Sequence, residues 1–455
     1  MLPWTLSRRE KRPSRSRKHN PSVKQSLQTL TLGCSKNRVD SEHLLSLLSE
    51  RYDLVPEEES RDVDVLLINT CGFIADAKEE SIQCILEQVE RKKQGEVGKV
   101  IVFGCLSERY AGDLPGLIPE VDAWFGARNF EPLLQYLGVS AAFDTAGRRL
   151  TTPAHYAYLK ISEGCDRRCS YCAIPYIRGA HRSVPMEQLV AEARMLAARG
   201  VKELIVVAQD STYYGLDLYR RRALADLLQA LSEIDGIEWI RIHYSYPDDF
   251  PEDVIDQMAT NPKVCAYMDI PLQHISDAVL SKMRRGVTGK WTRELIRRMR
   301  ERVPGLVLRT TLIVGHPGEG DKEFEELLDF VREARFERLG AFTYSEEEGT
   351  YAAKNLPDTV PQEEKQRRYD VLMTLQSEIS RAFNESRIGT EETVIVDSFS
   401  DGVLVCRSRS ESPDVDGEIL VGHLPQDLDP YCLVGEMIRV RITAADDYDL
   451  AAEII

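Results

Sequence analysis

Three cysteines crowd one short segment, YLKISEGCDRRCSYCAIPYIRG, in the pattern Cys165-x3-Cys169-x2-Cys172. Thiolates are soft donors that suit zinc or iron–sulfur clusters. A zinc ribbon would complete its site with a second Cys-x2-Cys pair, and none follows. Three cysteines on one loop can instead hold three irons of a 4Fe–4S cluster and leave the fourth without a protein ligand. Such an iron can bind a small molecule and pass it an electron. A second trio, Cys34, Cys71 and Cys105, lies 37 and 34 residues apart. Each member ends a short apolar run: SLQTLTLGC, DVLLINTC and KVIVFGC. Of the other four cysteines, Cys84 sits inside a helical pattern and Cys265 just before a strand. Cys406 and Cys432 are unclustered in a β-rich tail, and all four are read as structural.

The elements that must position these residues are legible from periodicity. The three apolar runs read as buried parallel strands, separated by helical patterns at 40–50 and 77–93. Strand alternating with helix predicts an open parallel sheet, with ligands at the carboxyl ends of the strands. Cys34, Cys71 and Cys105 all fall at those ends. Further strand-like runs occur at 156–162, 203–210, 238–243, 266–270, 307–313 and 338–344. Helical patterns separate them. The clearest is 186–199, with Ser183 as a candidate N-cap, Pro185 at its start and Gly200 beyond its end. Six strand–helix units predict an incomplete (β/α)6 barrel whose site lies at the carboxyl face. Gln209 and Asp210, Arg241 and His243, and Gln273 and His274 stand at that face; Gln209 and Gln273 are candidates for binding a cofactor. Residues 361–384 read as a long amphipathic helix. Five short β runs then suggest a small closed barrel of OB type.

The loop trio after a strand at the head of a barrel resembles the radical S-adenosylmethionine (SAM) superfamily. The stretch TTLIVGHPGE (310–319) resembles that superfamily's adenine-side motif, which places Ile313 and Gly315 against the base. The final β-rich segment resembles the TRAM module. With TLGCSKNRVDSE (31–42), INTCGFIADAKEESI (68–82), GCLSERY (104–110), AQDSTYYG (208–215), DIPLQH (269–274) and YSEEEGT (344–350), residues 27–455 resemble the methylthiotransferase family of radical SAM enzymes. Within it they resemble the branch acting on an aspartate of a small-subunit ribosomal protein, S-twelve.

The resemblance implies a multidomain α/β transferase. Its parts would be an N-terminal α/β domain over 27–147, a radical SAM barrel over 151–384 and a TRAM-like β-barrel over 386–455. It implies two 4Fe–4S clusters, one on Cys165, Cys169 and Cys172 and an auxiliary one on Cys34, Cys71 and Cys105, and SAM in two roles. One SAM donates methyl to sulfur. The other yields the radical that takes hydrogen from the aspartate β-carbon. Both trios should then face one cavity, with the N-terminal sheet as its roof. No catalytic acid or base is assigned, and His316, unusual in its motif, receives no role.

Charge bears on partners. The chain carries 58 basic and 74 acidic residues, a net of −16. Residues 1–25 hold eight basic side chains against Glu10, and 1–26 is read as a disordered basic tail. Residues 386–455 hold five basic and fifteen acidic side chains, among them Glu411, Asp414, Asp416 and Glu418. Nucleic-acid affinity comes largely from Lys and Arg on phosphates. An acidic module favours a basic protein, so a basic ribosomal protein, alone or on its subunit, is the expected substrate, and tRNA is not. A reductant protein is also expected. The alternatives are a tRNA adenosine methylthiotransferase and an iron–sulfur scaffold without SAM chemistry. No apolar run spans a membrane and no secretory signal is evident, so a cytoplasmic location is expected.

Overall fold

The computed structural model describes residues 24–139, 147–425 and 429–455. The basic tail expected over 1–26 falls almost entirely outside them, but its last two residues already belong to the first strand, β1 (Gln25–Thr31). With β2 (Tyr52–Val55), β3 (Val63–Thr70), β4 (Val97–Gly104) and β5 (Ala123–Trp124) it forms a parallel sheet of order β2-β1-β3-β4-β5. Helices cover both faces, so β3 and β4 are apolar at nearly every position. Leu67, Ile101 and Phe103 bury on one face, and Leu66, Ile68, Val100 and Val102 on the other. Helix α1 (Ser35–Leu48) starts directly after Cys34, five residues earlier than the sequence suggests, and α2 (Ala75–Lys93) follows β3. Cys84 on α2 is half-buried against the second of these cores.

The central domain is a second parallel sheet. Its strands are β6 (Tyr156–Lys160), β7 (Glu203–Val207), β8 (Trp239–Ile242), β9 (Val264–Asp269), β10 (Val307–Val314) and β11 (Arg338–Thr343). They run in sequential order, with β6 and β11 as unpaired edges, which is the incomplete barrel expected. Helix α3 (Met186–Ala198) begins at Pro185, without a side-chain cap. Ser183 does not cap it: its hydroxyl donates to Asp217 at 2.6 Å and ties down a neighbouring loop. Cys265 is buried in β9 at the end away from the site.

Helix α4 (Gln362–Ser386) leads to a closed barrel of β12 (Glu391–Ser400), β13 (Val403–Arg407), β14 (Ile419–Val421), β15 (Met437–Ala445) and β16 (Leu450–Ile454). Cys406 is in its core, but Cys432 is exposed on a turn, its thiol 3.4 Å from Asp429, and packs nothing.

This barrel also supplies charges to the interior of the molecule. Its 407–417 segment enters the interior of the central barrel, where the strands present Arg241, Arg309 and Arg338. Glu411 pairs with Arg338 at 3.0 Å, Asp416 lies 3.6 Å from Arg309, and Arg241 donates to the Arg409 carbonyl at 2.8 Å. Asp414 accepts from the Tyr158 hydroxyl at 2.8 Å, and Ser412 Oγ meets His243 Nε2 at 2.8 Å. Glu411 and Asp416 therefore serve as internal counter-charge, because buried guanidiniums need anionic partners. Most of the other acidic side chains of the barrel stay exposed. Arg241 and His243 likewise belong to this internal joint, not to the mouth of the barrel.

Candidate functional site

Loops at the carboxyl ends of β1, β3 and β4 carry Cys34, Cys71 and Cys105. Gly33 and Gly104 shape these loops with positive φ, +89° and +105°. A Cβ on Gly33 would lie 2.7 Å from Cys71 Cβ, so glycine lets the first loop close on the second. Asn37, in the first turn of α1, joins the remaining pair. Its Oδ1 is 4.0 Å from Cys34 Sγ and 3.7 Å from Cys105 Sγ. Its Nδ2 donates to the carbonyls of Leu32 and Thr70, both at 3.1 Å. The three thiols, distant in sequence, converge.

Cys165, Cys169 and Cys172 occupy the loop after β6. Cys165 N–H donates to the Gly179 carbonyl at 3.1 Å, and Cys172 N–H to that of Cys169 at 3.2 Å. Cys169 Sγ is 3.8 Å from the Tyr246 hydroxyl and 3.9 Å from Arg285 Nη1. Burial pushes the Cys165 thiol up to about 12 and Cys172 higher still. It also pushes Cys105 up to about 12, although the Arg178 guanidinium pulls the other way. These thiols hold their protons until a metal displaces them.

One set of buried charges joins the trios. Arg178 Nε donates to Cys105 Sγ at 3.1 Å, and its other nitrogens reach Asp40 at 2.8 Å, Glu163 at 3.1 Å and Asn37 at 2.5 Å. Lys160 pairs with Asp40 and with Glu163, and Gln209 Nε2 donates to Glu163 at 2.7 Å. Burial alone would raise the Glu163 carboxyl; Lys160 and Arg178 overcome it and hold the group to about 2. Glu163 is two residues before Cys165, so a few side chains span the gap between the trios. The loop after β8 makes a second link: Tyr244 lies under the Lys36 ammonium, and Tyr246 meets Cys169.

The roof over the barrel mouth is α1. It buries Val39 among Tyr156, Tyr158, Ile205 and Val207. Glu347, 4% exposed, latches the other side by pairing with Lys78 at 2.8 Å and Arg109 at 2.9 Å.

The remaining expected site residues stand at the carboxyl face in different roles. Gln209 has a buried Oε1 without a partner among the described residues. Gln273, at φ +72°, continues the sheet through its backbone, which bonds to Thr311 and Ile313. Ile313 alternates with Leu312 and Val314, which face the helices, so it faces inward. Gly315 has φ +73°, and a Cβ there would strike Lys365 Cγ at 2.3 Å. Asp210 pairs with Arg167, His274 lies 3.3 Å from Glu319, and His316 is buried between Tyr171 and Tyr344. Sequence reading missed Asn37, Lys36, Glu163, Arg178 and Glu347. The only signal was the place of the first four beside the cysteines and of Glu347 within YSEEEGT.

The donor chemistry fits iron–sulfur clusters. Each trio is soft thiol only. Among the described residues no three His, Cys, Asp or Glu side chains gather as ligands of a single metal ion. A cube engages its ligands at separate corners. The unpartnered Gln209 Oε1 and Arg285 Nε add unsatisfied polar atoms beside the second trio, as a polar cofactor requires.

Comparison with known proteins agrees with this architecture. Residues 159–331 match the Radical SAM superfamily, 26–126 the Uncharacterized protein family UPF0004, and 388–455 the TRAM domain. Among solved structures, the radical SAM methyltransferase TsrM from Kitasatospora setae shares the fold at TM-score 0.51 and 14% identity, over 90% of this chain and 84% of that one. No helix among the described residues is long and apolar enough to cross a membrane. The chain is 52% identical to "Ribosomal protein uS12 methylthiotransferase RimO" of Porphyromonas gingivalis, over 94% of this chain and 98% of the relative. It is 51% identical to the protein of that name from Bacteroides thetaiotaomicron, over 94% and 97%. At such identity over nearly its whole length, the chain belongs to the RimO methylthiotransferase family of radical SAM enzymes, which use 4Fe–4S clusters and SAM.

Proposed function

We propose that this chain transfers a methylthio group to the β-carbon of an aspartate in ribosomal protein uS12, in the cytoplasm, with electrons from a reductant protein. The observation that carries the reading is the meeting of two thiol trios across a single buried network at one barrel mouth. In this reading Cys165, Cys169 and Cys172 hold the SAM-binding cluster, and Cys34, Cys71 and Cys105 the auxiliary one. Gln209, Gln273, Ile313 and Gly315 line the SAM site. When bound, these groups supply one-electron chemistry able to break an unactivated C–H bond, with a sulfur donor held beside the carbon.

The chain's own residues supply position and dryness. Arg178 and Asn37 fix Cys105 and Cys34 relative to the barrel, so the two cofactors keep one separation. Glu163 stays ionised between Lys160 and Arg178 and holds Gln209 toward the barrel loop. The buried face of α1 and the Glu347 latch keep bulk water from the mouth, which protects a reactive carbon centre. No side chain is required as a general acid or base, because hydrogen abstraction leaves no proton to place.

Reconstituted enzyme incubated with SAM, a reductant and uS12 should raise the mass of one uS12 peptide by a methylthio group in place of hydrogen, at aspartate. Modification of tRNA nucleosides with uS12 unchanged would refute the proposal and favour the tRNA alternative.

A further inference from the structure

Lys36 is the second residue of α1, two positions after Cys34, and is 8% exposed. Its Nζ lies 3.4 Å from the Ala208 carbonyl and 3.3 Å from the centroid of the Tyr244 ring. Both residues stand at the carboxyl ends of barrel strands, so the ammonium projects from the roof into the mouth. Among the described residues no carboxylate lies within ion-pair distance of it, whereas Lys160, Arg167 and Arg178 each hold two. A buried ammonium without an anion is costly and demands a partner. The elements around it are incomplete as well. The Ser35 hydroxyl, Gln209 Oε1 and the Ser245 hydroxyl, each next in sequence to Lys36 or to a residue it touches, are buried without partners among the described residues. A buried cation between elements that each carry an unsatisfied polar group fits a carboxylate on a peptide.

We infer that Lys36 receives the carboxylate of the target aspartate and thereby selects an acidic protein side chain as substrate. This rests on the proposed function, since it takes the substrate to be an aspartyl residue. A carboxylate on Lys36 holds the adjacent β-carbon at the barrel mouth, next to the loop that carries Cys34. A neutral base or an amide side chain in the same place leaves the ammonium unpaired, so it is rejected.

The test measures uS12 binding to cluster-loaded enzyme, wild type against Lys36→Met and Lys36→Arg. Each enzyme is titrated with uS12 carrying the natural aspartate or asparagine at the modified position. Wild type should bind the aspartate form about tenfold to a hundredfold tighter than the asparagine form. Lys36→Met should lose that preference, with a rise in KM that exceeds any fall in kcat, and Lys36→Arg should restore most of it. Iron content and the reduction potentials of both clusters should be the same in Lys36→Met as in wild type, which shows that the roof still folds. A Lys36→Met enzyme that keeps its preference for aspartate would overturn the inference while leaving the proposed function standing. So would an altered auxiliary-cluster potential with unchanged binding, because Lys36 would then serve the cluster. A wild-type enzyme that never modifies uS12 would overturn the proposed function, and the inference with it.

Discussion

Replacing Glu411 by Ala separates two views of the C-terminal barrel: a tethered module, or a structural part of the radical domain. Glu411 is 1% exposed. Its carboxylate accepts from Arg338 at 3.0 Å, from Arg387 and from the Ser408 hydroxyl at 2.7 Å. Without it, Arg387 keeps Glu392 at 2.8 Å. Arg338 keeps only the oxygens of Ser380 and Asn384, at 3.3 and 3.4 Å. The loss is thus dominated by one buried guanidinium left with only the charge of Asp416 nearby, and breaking such a pair costs about 3–5 kcal/mol. The lower end applies here because the amide remains. A single melting temperature is a poor gauge for a multidomain chain, so hydrogen exchange is the better assay. Amides of β11 and β13 should exchange about a hundredfold faster, the equivalent of ~3 kcal/mol, while β4 is unchanged. Acidification gives an independent sign. Burial alone would raise the Glu411 carboxyl above its ordinary 4.5, but Arg387 and Arg338 hold it to about 2. A depressed carboxyl stabilises the fold fully above 4.5 and ceases to do so as pH falls toward 2. The gap between wild type and Glu411→Gln should therefore be constant near neutrality and close over that acid range. Exchange in β11 and β13 within about threefold of wild type would refute the reasoning and restore the tethered module.

Joint replacement of Cys165, Cys169 and Cys172 by Ala should lower iron from about eight to about four per chain and abolish SAM cleavage. The same change at Cys34, Cys71 and Cys105 should lower iron equally but leave cleavage and stop methylthio transfer. Gly104→Ala puts a Cβ 2.5 Å from Asn69 Oδ1 and 2.7 Å from the Thr70 backbone at a positive φ, and should displace Cys105. Cluster spectroscopy should then show loss of the auxiliary signal alone. Glu347→Ala strips Lys78 and Arg109 of their shared carboxylate and should loosen the roof by about 2–4 kcal/mol, read as faster proteolysis between the first two sheets.

The three inner strands of the first sheet and the six of the second were legible because burial on two faces forces continuous apolar runs, and the small barrel through its five short β runs; the short edge strands β2 and β5 of the first sheet carry no such signal and were not read. Helix α1 was placed five residues late because SKNRV is polar. Lys36, Asn37 and Val39 are buried nonetheless, since they meet the central domain rather than solvent. The six cysteines were legible by type and by position after a strand. Their partners were not. Arg178 meets Cys105 across 73 residues, and Lys78 meets Glu347 across 269. Nothing local marks an arginine that will neutralise a distant group. The protein substrate inferred from the acidic tail agrees with the relatives' name, but a count of charges cannot tell a surface field from counter-ions, and Glu411 and Asp416 are counter-ions.

The placement of these charges bears on the origin of specificity. If fifteen acidic residues in the tail faced solvent, a basic ribosomal protein could be chosen by long-range attraction, and selectivity would fade with salt. Nine of the fifteen are exposed and can steer a basic protein, but a screened field does little to choose one side chain. Selection then has to occur at short range, where the roof meets the barrel and Lys36 has no carboxylate partner among the described residues. Discrimination by a buried polar contact resists screening and depends on one functional group. The enzyme's preference for its protein substrate should therefore hold in high salt, although the rate of encounter falls. A preference that disappears with salt would instead return specificity to the surface of the C-terminal barrel.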